Sequence, residues 1–159
     1  AEEGVDGWTL VEGVLESLTA QECDGGSPAT GQRYFAVGGL CVESPYGQAH
    51  QVVPLESAWW SEIDASQVAV TFGATFSTWE GDDEPGVSLQ FLGVEGEVLG
   101  ESLAMTSHVT SWTPQTLSGP VPPQARMMRL AMSGTRMSGT DNDSYVDDVH
   151  LTLMTCTAP

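Results

Sequence analysis

The residue with the most pointed chemistry lies in the run Ser144-Tyr-Val-Asp-Asp-Val-His-Leu-Thr-Leu153. Strict alternation puts Tyr145, Asp147, Val149, Leu151 and Leu153 on one face, with Asp148 and His150 on the other. Three aliphatic residues make the first face the core face, so the pattern aims the Asp147 carboxylate inward. That is costly unless the carboxylate is paired, hydrogen-bonded or bound to a metal. The chain has no lysine, and its only arginines are Arg33, Arg126, Arg129 and Arg136. Two partners therefore compete for Asp147: a calcium ion, which takes several hard oxygen ligands, and backbone amides at the rim of the fold.

Other reactive groups give little sign of catalysis. Glycoside hydrolysis needs two opposed carboxylates, but 22 acidic residues always supply some pair, and no pair is marked here. His50, His108 and His150 are isolated, and there is no Gly-x-Ser-x-Gly elbow or His-Glu-x-x-His helix. Asp141-Asn-Asp143 lacks the glycine and closing glutamate of an EF-hand loop. The expectation is a binding module, not an enzyme. Cys23 and Cys41 bracket a Gly-rich segment, and a disulfide between them suits a secreted domain. Cys156 is left to pair with one of these or with a cysteine elsewhere, and no Cys/His cluster suggests zinc.

Aromatic and polar groups in two long loops, Ser77–Gly86 and Ser133–Asp143, are the candidates for ligand contact. An exposed Trp or Tyr offers an apolar face for stacking, and polar side chains beside it offer hydrogen bonds. Trp79 sits in the first loop, where no alternation forces it inward. Trp59 and Trp60 are adjacent, so in extended chain one of them faces solvent. Trp8 and Trp112 fall on candidate strands and read as core. Asp82 in the first loop and Arg136 and Asn142 in the second complete the candidate ligand set. Arg136 has Asp82, Asp83, Asp141 and Asp143 as prospective partners, and those four acids are also a candidate second cation site.

The elements that must position these groups are strands. Val68, Val70, Phe72, Ala74 and Phe76 alternate through one strand, and Val87, Leu89 and Phe91 through another. Gly93-Val-Glu-Gly96 reads as a hairpin turn into Glu97–Leu99, and Met128, Leu130 and Met132 face inward opposite Arg129. Shorter candidates are Trp8–Val11, Tyr34–Val37, Gln48–Pro54 and Val109–Leu117; helical spacing occurs only around Glu56 to Ile63. Eight or nine short strands between Gly, Pro, Ser and Asp turns predict an all-β sandwich of two antiparallel sheets. One domain over 1–154 is expected, with 155–159 as a tail or the start of a linker.

Bulk charge narrows the partners. A formal charge of −18 excludes phosphate neutralisation, hence nucleic acid, and disfavours anionic membrane surfaces. No apolar run approaches the ~20 residues needed to span a bilayer. An acidic surface suits a saline habitat or calcium binding, and the two are compatible.

Three stretches, Glu2-Glu-Gly-Val-Asp-Gly-Trp8, Thr30-Gly-Gln-Arg-Tyr-Phe35 and Tyr145-Val-Asp-Asp-Val149, together resemble galactose-binding-like jelly rolls. That group includes many carbohydrate-binding modules of secreted bacterial proteins. The resemblance implies a jelly-roll fold, a secreted or cell-surface location and a glycan or cell-surface polysaccharide as partner. It also implies a structural calcium held by Glu2, Asp147 and the backbone from Thr30 to Gln32, with Asp24 added by its nearness in sequence to that loop. The sequence departs from the pattern at Ala1, where an aromatic residue is expected. The alternative is a structural or adhesive unit whose partners are other protein chains or a parent multidomain protein.

Overall fold

A computed structural model describes residues 1–156. Among these, ten strands form two five-stranded antiparallel sheets packed face to face. In chain order they are β1 (Thr9–Glu12), β2 (Leu15–Thr19), β3 (Arg33–Val37), β4 (Tyr46–Pro54), β5 (Val68–Ser77), β6 (Glu84–Leu92), β7 (Val98–Thr106), β8 (Thr113–Pro120), β9 (Met127–Thr135) and β10 (Tyr145–Thr155). The first sheet has the order β1-β4-β9-β6-β7 and the second β2-β3-β10-β5-β8. This is the jelly-roll sandwich anticipated, with ten strands where eight or nine were expected. The extra strand is β2, where Leu15 packs on the main core and Leu18 on a second cluster. Its two apolar residues serve opposite faces, so no period-two pattern announces it.

The core between the sheets follows the alternation. Val68, Val70, Phe72, Ala74 and Phe76 are all buried, as are Val87, Leu89 and Phe91 and the facing Met128, Leu130 and Met132. The turn at 93–96 closes with Gly93 and Glu97 joined through their backbones. Around Glu56 the chain makes one 3-10 turn, Ser57–Trp59, and the short helix α1 (Trp60–Asp64). No helix among the described residues is long and apolar enough to cross a membrane. β10 runs to Thr155, one residue into the segment expected as a tail, and residues 157–159 lie outside the described residues.

The outer face of the second sheet is roofed. Leu18, Tyr34, Ala36, Leu40 and Tyr145 form a second cluster there, with Trp112 packed edge-on to Tyr34. The segment crossing above is fastened by the expected Cys23–Cys41 disulfide and by the Trp112 indole, which donates to the Ser27 carbonyl at 2.7 Å. Among the described residues Cys156 is the free cysteine, and it is exposed.

One expectation about β10 fails. A bulge sits between Asp147, opposite Thr75, and His150, opposite Gly73, with Asp148 in the left-handed region at φ 49°. The extra residue inverts the alternation. Val146, Val149, Leu151 and Leu153 face the main core, while Tyr145 joins the outer cluster. Asp147, two residues from Tyr145 and opposite Thr75, is therefore on the outer side of the sheet and does not share the core face of Val149.

Candidate functional site

Asp147 is nevertheless buried, at 4% exposure, beneath the 28–32 loop. Its Oδ2 accepts the amides of Ala29 at 3.0 Å and Thr30 at 3.2 Å, and its Oδ1 accepts the Asp148 amide at 2.8 Å. Of the two partners open to it, backbone amides hold it in this structure. Burial pushes its carboxyl above the ordinary value, and the amide bonds offset part of that shift. Glu2 grips the far end of the same loop, with Oε1 accepting from Gln32 at 2.9 Å and Arg33 at 3.0 Å. Those two amide bonds hold its carboxyl below the ordinary value. Glu2, Thr30 and Asp147 line one concavity of about 420 Å³, floored by Trp8, Phe35 and Leu130.

The residues named for calcium thus converge in part. Asp24 does not join them: it lies in the 3-10 turn Glu22–Asp24 and does not line the concavity. No group of three or more His, Cys, Asp or Glu side chains among the described residues comes together in a metal-holding arrangement. Of the carboxylates named for calcium, Glu2 and Asp147 line this concavity, and both accept loop amides.

A second concavity, of about 210 Å³, lies between the loop after β5 and the loop after β9. Trp79 stands at its edge, 66% exposed, and Glu80, Asp82, Ser138 and Thr140 face it. Asp83, only 2% exposed, bolts the two loops together: it accepts the amides of Met137 at 2.8 Å, Ser138 at 3.4 Å and Asp143 at 2.7 Å. Asp82 adds a bond from the Ser138 hydroxyl at 2.9 Å. Asp143 accepts from the Tyr145 hydroxyl, and burial, followed by the charges of Asp83, Asp141 and Glu80, pushes its carboxyl up.

Arg136 does not pair with Asp82 or Asp83. Its guanidinium turns back onto the Thr140 carbonyl inside its own loop, and amides occupy the carboxylate it was expected to meet. Asn142 is no ligand contact either. It is fully buried, donating at 3.2 Å to the carbonyls of both Ser44 and Gly134. Its amide fills the space above Gly38, where φ is 109° and a Cβ would meet Asn142 Nδ2 at 2.0 Å.

The two adjacent tryptophans sit on helical turns, not extended chain. Trp59 packs on the main core; Trp60, 40% exposed, covers the Arg126 guanidinium and donates to the Leu55 carbonyl. They precede the first residue of the ten-residue β5, while Trp79 follows its last. A strand of that length spans about 33 Å. The structure therefore places Trp59 and Trp60 at the opposite end from Trp79, and one site cannot contain all three.

The outer face of the first sheet carries polar residues that sequence reasoning passed over. On β4, Gly47 and Ala49 point inward, leaving Tyr46, Gln48 and His50 half-buried on the outside. Strand register aligns Gln48 with Ser133 and Gly86, and His50 with Ala131 and Ser88. Arg129 lies on the same face, its guanidinium donating to Gln90 Oε1 at 3.1 Å. The signal that marks this face is the alternation of β4 itself.

No family model matches the chain, and no curated protein matches it in sequence. Solved structures do match in shape. The enzymatically active domain of bacteriophage CBA120 tailspike protein 4 superposes with a TM-score of 0.66 at 15% identity over 96% of this chain, which spans 20% of the tailspike chain. A family 16 carbohydrate-binding module gives 0.55 at 14% identity, covering 95% of this chain and 94% of that one. A family 61 carbohydrate-binding module, solved with β-1,4-galactotriose, gives 0.53 at 12% identity, covering 92% and 88%. The fold is the galactose-binding-like jelly roll of carbohydrate-binding modules.

Proposed function

We propose that this chain is a non-catalytic carbohydrate-binding module of a secreted protein, taking its glycan beside Trp79. The observation that carries the reading is an indole two-thirds exposed at the edge of a preformed concavity with carboxylates and hydroxyls around it. Stacking a sugar face on such a ring removes on the order of 100 Å² of apolar surface from water, worth about 2.5 kcal/mol. The acceptors Asp82 and Glu80 and the hydroxyls of Ser138 and Thr140 suit sugar hydroxyls. The Asp83 bolt preorganises both loops, so little ordering entropy is lost on binding. The disulfide supports an oxidising compartment. A calcium ion held between Glu2, Asp147 and the 30–32 carbonyls would add stability through linkage.

The test is a glycan array and pull-down on insoluble polysaccharides, with wild type and Trp79→Ala. Binding that disappears in Trp79→Ala, with the melting temperature unchanged, supports the reading. Blank arrays for the wild type overturn it. For calcium, the melting temperature of dialysed protein is read with calcium and with chelator, and identical values overturn the ion.

A further inference from the structure

We infer that the Trp79 concavity selects amino sugars: its ligand is a glycan whose rings carry protonated amines, with the ring stacked on the indole and an ammonium group set among the carboxylates. The inference rests on the carbohydrate reading above and names the substrate class.

The charge around this concavity has no counterpart in the chain. Five of the 22 acidic residues, Glu80, Asp82, Asp83, Asp141 and Asp143, line a single space of about 210 Å³. All four arginines are engaged elsewhere. Arg33 donates to the Ser17 carbonyl, Arg126 pairs with Asp64, Arg129 donates to Gln90, and Arg136 turns onto the Thr140 carbonyl. The ion pairs among the described residues are His108–Glu84 and Arg126–Asp64, and neither includes any of the five.

These carboxylates also keep acceptor capacity. Both oxygens of Asp83 are filled by loop amides. Asp82, Asp141 and Asp143 each accept one hydroxyl on one oxygen, and among the described residues the other oxygen has no partner. The concentration of charge is felt within the site: behind burial, the charges of Asp83, Asp141 and Glu80 push the Asp143 carboxyl up.

Trp79 decides which cation this charge suits. Its indole is 66% exposed at the edge of the same concavity. An inorganic ion has no apolar face to lay on that ring, whereas a pyranose has C–H faces and carries its substituents around the rim. With the ring stacked on the indole, a rim ammonium is directed sideways toward the carboxylates, and the indole face itself attracts a cation. A hydroxyl at the same position gains a neutral hydrogen bond, weaker than one between two charged groups. An acetamide carries no charge, and a uronate or sulfate meets charge of its own sign.

Isothermal titration in chelator and low salt, in mildly acidic buffer where sugar amines are protonated, tests the selection. The probes are tetrasaccharides of glucosamine and of galactosamine, each beside its N-acetylated and its hydroxyl counterpart, so that only the C2 group differs. The accepted amine form should bind about tenfold or more tighter than both counterparts, and that ratio should shrink toward one near 1 M salt, where the Debye length is about 3 Å. Glu80→Gln/Asp82→Asn should collapse the ratio with the melting temperature unchanged. Glu56→Gln/Glu95→Gln, the same change of charge on exposed turns at the other end of the sandwich, should keep it. Trp79→Ala should weaken the amine form. Amine forms no tighter than their counterparts overturn the selection, as does a preference that survives Trp79→Ala or Glu80→Gln/Asp82→Asn, or one lost equally in Glu56→Gln/Glu95→Gln; each leaves the carbohydrate reading standing. Blank titrations with every form overturn the selection, and a blank glycan array beside them overturns both.

Discussion

Replacing Asp147 tests whether the carboxylate works by accepting amides. Its three amide donors lie at 3.0, 3.2 and 2.8 Å, in a site only 4% exposed. A hydrogen bond to a charged group contributes about 1.5–3 kcal/mol net. Burial raises the carboxyl's pKa, so desolvation cancels part of that sum. In Asp147→Asn one oxygen remains. Turned toward the loop it keeps Ala29 and Thr30, and the side-chain NH2 then faces the Asp148 amide, losing one bond and opposing two donors. The expected cost is about 1–2 kcal/mol. Asp147→Ala strands all three amides and should cost about 3–4 kcal/mol. For a domain of this size each kcal/mol lowers the melting temperature by about 2–4 °C. Thermal and urea unfolding at neutral pH in chelator would therefore show a drop of a few degrees for Asn and about twice that for Ala. The gap between Asp and Asn should widen on acidification from neutral, because the folded state takes the Asp147 proton first and Asn has none to take. If both variants melt with the wild type, or Asn is worse than Ala, the amide account is wrong.

Three further outcomes are expected. Asn142→Ala removes the donor to the Ser44 and Gly134 carbonyls and should cost about 2–3 kcal/mol in urea unfolding, while Asn142→Asp, setting a carboxylate against two carbonyls, should cost more; the reverse order would refute the assignment. Breaking the Cys23–Cys41 link, which spans 18 residues, with Cys23→Ser and Cys41→Ser should cost about 3 kcal/mol against the oxidised wild type and melt with the reduced one. The pH profile should have a maximum. Asp143 and Asp147 have raised folded values, so the folded state binds their protons first and stability rises as pH falls from neutral toward those values. Glu2, Glu22 and Asp64 have lowered values, and their contribution is lost as pH falls through the carboxylate range and below. Melting temperatures that only fall on acidification from neutral would contradict the raised pair.

The fold was legible where each strand has a single apolar phase. β5 and β9 alternate cleanly, and every inward residue named for them is buried. β2 was hidden because its two leucines serve different faces. β10 was visible as a strand but misread in orientation, because one extra residue at Asp148 inverts the phase and nothing in Tyr-Val-Asp-Asp-Val spells a bulge. Among site residues, Trp79 and Asp82 were read from loop position, and the structure brings them to one concavity. Asn142 and Arg136 came from the same reasoning and turned inward or back on themselves, since loop polarity does not tell a ligand contact from a group satisfying buried carbonyls. The first-sheet face was missed because its polar residues are the ordinary outward half of an alternating pattern.

The bulge at Asp148 has a further consequence, for how the chain finds its partners. β10 sits between β3 and β5, in the middle of its sheet, and pairs with β5 from Tyr145 to Thr155. A uniform strand can slide by two residues and still present its apolar side to the core. β10 cannot, because its two halves have opposite phase. Slid by two, the mismatch falls at a different place on β5 and the Asp147 carboxylate loses the loop that shields it. The irregularity thus serves as a notch that admits a single alignment, guarding assembly against slippage at the strand where an error would propagate to both neighbours.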